Sequence, residues 1–160
     1  MHTDLWNFAL HLYARPGVEA ACLALQDEGA DVCLLLCGAW LEAGRAGVTP
    51  ERVQHLQQLA AAWQQHVVTP LRQLRRQWRA DAQHDPQLAH LRGQVKALEL
   101  EAERTLLARL QQASEGWMNQ GVAGDWLAVL APQGTRHHDA LQVLRVVAVA
   151  VADQEAVEGD

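Results

Sequence analysis

Apolar residues recur at helical spacing along most of the chain. Leu5, Phe8, Ala9 and Leu12 share one face of a first helix over residues 4–14, which Thr3 is expected to cap. Trp6, Leu10 and Tyr13 form a second apolar face, so this helix is expected to be covered on both sides. Arg15-Pro16-Gly17 ends it, and Pro16 opens a second helix that runs to Glu28 and stops at Gly29. Asp31 caps a third helix to Ala43, apolar nearly all round, the pattern of a central buried helix.

The strongest periodicity follows. Thr49-Pro50-Glu51 combines a cap, a first-turn proline and an acidic first turn. Val53, Leu56, Ala60, Trp63, Val67, Leu71, Leu74 and Trp78 then recur at near-heptad spacing. After the turn His84-Asp85-Pro86, a second stripe runs through Leu88, Leu91, Val95, Leu98, Ala102 and Thr105, with Leu106 and Leu110 beside it. The spacing predicts two helices, about 49–82 and 86–115, joined by a short turn and therefore antiparallel. Each would be roughly 45 Å long, more than a small domain spans, so the hairpin is expected to project or to recruit a partner. Pro70 lies inside the first of them and should kink it, freeing the carbonyl of His66. Gly116, Gly121 and Gly124 mark a break. Two shorter helices follow, over 125–131 and 137–153. The pattern is thus all-α: a helical bundle built on a long antiparallel hairpin, with shorter N- and C-terminal helices. It makes one domain over 1–153 and an acidic tail over 154–160.

Composition narrows the function. The chain has 160 residues, 49% hydrophobic and 20% charged, which excludes intrinsic disorder. The net charge of −6 is unevenly spread. Between Arg72 and Arg109 stand eight basic and five acidic residues, net +3, which leaves −9 for the rest. A +3 arm is a modest platform for nucleic acid, which is accordingly not favoured as a partner. The apolar run Val32–Leu41 is too short to span a bilayer, and the first residues lack the basic start of a signal peptide. Three cysteines cannot all pair, so a reducing, cytoplasmic setting is expected.

No catalytic motif is complete. Gly-x-Ser-x-Gly, the P-loop and Gly-x-Gly-x-x-Gly are all missing. The eight histidines lack the Glu-x-x-His spacing of a di-iron bundle, and Cys22, Cys33 and Cys37 form no Cys-x-x-Cys pair. The reading therefore assigns no metal, no cofactor and no catalytic residue, and it leans away from an enzyme. The candidate chemistry lies on the hairpin. Arg72, Arg75, Arg76 and Arg79 fall on one helical face. Glu99 and Glu103 are one turn apart on the facing helix. For a turn near residue 84, Arg72 should lie near Glu99, and His66 near Glu103. Such pairs set register. Alternatively the arginines clamp an anionic ligand, with Glu99 or Glu103 as acid/base and Trp40 and Trp63 walling a pocket.

Several stretches carry a resemblance. Residues Leu5-Trp6-Asn7-Phe8-Ala9-Leu10-His11-Leu12-Tyr13-Ala14-Arg15-Pro16-Gly17-Val18 open it. Cys22 to Asp27, Gly29-Ala30-Asp31-Val32, Pro70-Leu71-Arg72 with Arg75-Arg76, and Glu99 to Arg104 continue it. Over residues 5–110 the chain resembles a proteobacterial family known as domain of unknown function 2390. An asparagine usually follows Asp31-Val32 there, where this chain has Cys33. The resemblance implies a helical, bacterial, cytoplasmic protein and brings no mechanism. It makes the Arg72–Arg76 and Glu99–Arg104 segments a matched pair. The leading expectation is a non-enzymatic interaction or adaptor module, as a homodimer or with a protein partner through the hairpin. The alternatives are a small anionic-ligand binder or enzyme using the arginine cluster and, more weakly, an RNA- or ribosome-associated factor.

Overall fold

The computed structural model describes residues 4–121, 124–134 and 136–158, and these residues contain helices and no strand. Helices α1 (Leu5–Tyr13), α2 (Val18–Asp27) and α3 (Val32–Ala43) are followed by α4 (Pro50–Trp63). A π-helical turn, Gln64–Val68, joins α4 to α5 (Thr69–Gln77). Then come α6 (Arg79–Ala82), α7 (Pro86–Ala113), α8 (Trp126–Leu130) and α9 (His138–Glu158). The all-α reading of the sequence therefore holds.

Local chemistry explains the boundaries. Asp4 caps α1 by accepting from the Asn7 N–H; Thr3, the expected cap, lies outside the described residues. Asp31 caps α3 from the Leu34 N–H, and Thr49 caps α4 from the Arg52 N–H. Between α2 and α3, Gly29 adopts a left-handed φ of 90°. The Ala30 N–H reaches the Leu25 carbonyl at 3.1 Å and the Gly29 N–H the Gln26 carbonyl at 2.9 Å. This Schellman turn delivers Asp31 directly to the next helix start.

The core is centred on α3, which touches α1, α2, α4, α7, α8 and α9. Every residue from Cys33 to Leu41 is buried, as its all-round apolar pattern requires. Gly38 permits close approach of α8, since a Cβ there would sit 3.0 Å from Leu130 Cδ1. Polar ties pin the periphery. Arg145 of α9 bridges Glu42 and Asp125, the latter at 2.5 Å, and Glu42 also accepts from the Leu127 N–H. The Trp126 indole, fully buried, donates to the Ala46 carbonyl and stacks on Trp117.

Three local readings of the sequence change. The expected kink at Pro70 is a π turn: the Thr69 N–H bonds to the Gln64 carbonyl, five residues back. Proline cannot donate and its ring crowds the carbonyl four residues earlier, so the widened turn relieves both defects. The expected frayed tail after 153 is helical to Glu158, because Gln154 accepts from Arg15 and Glu155 pairs with His11 of α1 at 2.7 Å. The seam of α7 also differs. Leu91 and Leu98 are half exposed, while Arg92 and Val95 are half-buried and Glu99, Ala102, Leu106 and Leu110 are buried. The seam thus runs through Arg92 and Glu99, where the sequence stripe runs through leucines.

After α3, Arg45 holds a left-handed φ of 58° at the position where glycine ordinarily ends a helix. A side chain there costs about 1 kcal/mol or more, offset in part by the freedom glycine brings to the unfolded chain. Arg45→Gly is expected to raise stability by about 0.5–1 kcal/mol, read as an upward shift of the urea midpoint at unchanged slope.

Candidate functional site: a cleft between α1 and the hairpin

A cleft of about 600 Å³ opens where α1, the α2–α3 turn, α3, α4, the π turn, α5 and α7 meet. Its size lies within the roughly 300–1,000 Å³ of small-molecule sites. Trp6, Leu10 and Tyr13 of α1 form one wall, and Leu100 and Leu107 of α7 another. These are the second apolar face of α1 and an off-seam stripe of α7. Leu10 and Leu100 line the cleft and remain about half exposed. Asp31, Gln64, Arg72 and Glu103 make the polar end.

Each polar group is delivered by a local feature. Asp31 arrives as the α3 cap after the Gly29 turn. Gln64 opens the π turn, and its Nε2 donates to Asp31 Oδ1 at 3.1 Å. Arg72 sits two residues past Pro70. Its Nε donates to Glu99 Oε1 at 3.2 Å, and its Nη2 to Glu103 Oε1 at 3.3 Å. Arg75 forks onto Glu99, with Nε at 2.5 Å from Oε2 and Nη2 at 3.2 Å from Oε1. Arg92 in turn donates to the Arg75 carbonyl at 2.9 Å.

Glu99 and Glu103 of α7 are pushed in opposite directions. Burial alone would raise the Glu99 carboxyl, but the hydrogen bonds and charges of Arg75 and Arg72 outweigh it and hold Glu99 below the ordinary carboxylate value. Glu103 shares Arg72 with Glu99. Its own burial, helped by the nearby charges of Glu99 and Asp31, raises it despite that contact. Asp31 is also raised, chiefly by burial, although its hydrogen bonds and the Arg72 charge oppose the shift. Cys33 lines the cleft, and burial drives its thiol well above its ordinary value. Cys37 is raised too, and Cys22 is pushed up to about 12, in both cases by burial first. None of the three is a thiolate nucleophile at neutral pH. Among the described residues no three His, Cys, Asp or Glu side chains gather closely enough to hold a metal ion.

The residues singled out in the sequence divide into three groups. Arg72, Arg75, Glu99 and Glu103 come together as one ion network, with Arg72 and Glu103 facing the cleft. Arg76 and Arg79 are exposed and line no part of it; Arg79 borders a separate shallow hollow with Arg92 near the hairpin tip. Trp40 and Trp63 do not wall the cleft. Trp40 is buried in the α3 core, while the Trp63 indole donates to the Ala102 carbonyl across the hairpin with Arg109 over its ring at 4.1 Å. His66 is exposed, and the Glu103 contact expected of it is made by Arg72. The sequence reading missed Asp31 and Gln64 as site residues and Trp6 as a wall. The signal for Trp6 was there, in an α1 with more apolar surface than one packing face needs.

Glu103 gives a signed test. An acid raised in the folded state holds a proton that the unfolded chain has lost, at pH values between the ordinary 4.5 and the raised value. This contribution is fully present below 4.5 and is lost as pH rises through the raised value. Glu103→Gln should remove that loss. The wild type is expected to lose stability relative to the variant as pH rises from 4.5 towards neutrality, measured by urea unfolding of both chains.

No curated protein and no solved structure matches the chain. A family model described as protein of unknown function (DUF2390) matches residues 4–110, which contain the whole hairpin seam and every residue that lines the cleft. The chain therefore belongs to the DUF2390 family.

Proposed function

We propose that this protein binds a small amphipathic molecule in the cleft between α1 and the hairpin. One observation carries the reading: residues of α1, α3, α4 and α7, with single residues of α2, the π turn and α5 and the α2–α3 turn, converge on a cleft of about 600 Å³ with aromatic and aliphatic walls and a polar end. The apolar body of the ligand would lie between Trp6 and Leu10 on one side and Leu100 and Leu107 on the other. Its polar group would meet Asp31, Gln64, Arg72 and Glu103. An anion clamp is less well supported, because Arg72 and Arg75 are already engaged by Glu99 and Glu103. Three free, buried cysteines support a reducing compartment such as the cytoplasm. Among the described residues no helix is long and apolar enough to cross a membrane.

A neutral dansyl dye with a pentyl tail tests the cleft. Saturable one-to-one binding with a blue-shifted emission is expected. Ala61 lines the cleft and is itself exposed, so Ala61→Trp fills the cleft without touching the core. It should weaken binding at least about tenfold with the melting temperature unchanged. Absence of saturable binding to the wild type rejects the reading.

A second reading, the interaction arm, rests on the distal hairpin. From Thr69 to Leu98 no described residue is buried, and Leu91 and Leu98 stand half exposed. Such an arm suits a homodimer or a protein partner. Sedimentation across a wide concentration range should then show a dimer that Leu91→Arg with Leu98→Arg dissociates. A monomer at every concentration excludes the homodimer.

A further inference from the structure

We infer that the cleft selects a ligand whose polar head is a cation, a primary amine or a comparable basic group, seated between Asp31 and Glu103. This rests on the reading of the cleft as a small-molecule site and specifies what enters it. Charge sets the head. The ionisable side chains that line the cleft are Tyr13, Asp31, Cys33, Arg72 and Glu103. Four are acids and one is a base. The charge of that base is already shared by two carboxylates, its Nε bonding Glu99 and its Nη2 Glu103. Arg75, the other cation nearby, forks onto Glu99 behind the cleft wall. Glu99 thus takes most of the positive charge, and Glu103 keeps only a share of Arg72. Asp31 is met by neutral donors, the Leu34 N–H at 3.2 Å and the Gln64 amide at 3.1 Å. Two carboxylates in a partly desolvated cleft are therefore left with less than one full countercharge between them.

All four acids respond in the same sense. Burial raises Tyr13, Asp31, Cys33 and Glu103 above their ordinary values, and the charge of Glu103 contributes at Tyr13 and at Cys33. Burial penalises a charge of either sign, so the carboxylates set the sign of the head: Glu103 already repels negative charge at Tyr13 and Cys33, and an anionic head would meet the same repulsion. A cation meets attraction there instead, and it can make charge-assisted hydrogen bonds to both carboxylates. The apolar walls set the rest of the molecule. Leu10 and Leu100 stand half exposed, and the Trp6 ring already carries Arg104 at 5.0 Å outside the cleft lining. The ligand is an amphipathic amine: an aromatic or aliphatic body with one basic end.

Three probes of one shape test this: dansylcadaverine, its neutral pentyl analogue, and the analogue ending in a carboxylate. Fluorescence titration of the full chain at neutral pH is expected to rank them amine, neutral, carboxylate, with the amine at least about tenfold tighter than the neutral probe. Asp31→Asn keeps a capping side chain, and Glu103→Gln keeps a hydrogen-bond acceptor for Arg72. Each should weaken the amine about tenfold and leave the neutral probe within about twofold. The wild-type ranking stands by itself should either variant unfold. Saturable binding of all three with equal or reversed order overturns the cationic head and leaves the cleft as a ligand site. No saturable binding of any probe overturns both.

Discussion

The structure depends on one buried carboxylate. Glu99 lies in the seam of the hairpin, 7% exposed, with two guanidinium groups converging on it. Removing a carboxylate from water costs several kcal/mol unless charge and hydrogen bonds are returned to it. Arg72 and Arg75 return both, the second through a two-bond fork. The consequence is register. A rotation of α7 by one residue, about 100°, would bring the leucines at 91 and 98 inward and carry Glu99 away from its guanidinium partners. Covering both leucines would gain about 2–4 kcal/mol, less than is lost with the three charge-assisted hydrogen bonds to Glu99, about 1.5–3 kcal/mol each. The charged register wins, and the leucines stay out.

The cleft follows from that register. With Glu99 turned into the seam, Leu100, Glu103 and Leu107 point towards α1. Arg72 reaches past Glu99 to touch Glu103, so the same guanidinium that locks the hairpin also forms part of the cleft lining. The π turn acts from the other side. One extra residue before Pro70 turns Gln64 onto Asp31, which joins the hairpin to the start of α3. Helix α1 is held over this arrangement at both ends. Gln111 of α7 accepts from the Leu5 N–H at 2.9 Å, and Gln154 and Glu155 of α9 bind Arg15 and His11. Three separate segments of the chain thus hold the cleft open.

Legibility differed between fold and site for a physical reason. The caps Asp31 and Thr49, the stop at Gly29 and the all-round apolar α3 act within one or two turns of chain, so spacing alone exposes them. The pairing of Arg72 with Glu99 was also readable, since a short turn fixes which positions face each other. Trp40 and Trp63 illustrate what was not. Both are large aromatic residues suited to a pocket wall, yet one packs into the core and the other donates across the hairpin. Trp6, no different in kind, walls the cleft.

The sequence by itself determined the helices, their order, the antiparallel hairpin and the pairing of Arg72 with Glu99, because short-range spacing encodes each of these. Only the tertiary structure decided which face of α7 turned inward and that α1 left a cleft beside it. It also decided that Asp31, Gln64 and Glu103 would share one polar end. Those outcomes depend on the balance between burying leucine and pairing a carboxylate, and on distances between segments far apart in the chain. Periodicity places a residue on a face of its own helix, and the cost of burying its neighbours selects what that face meets.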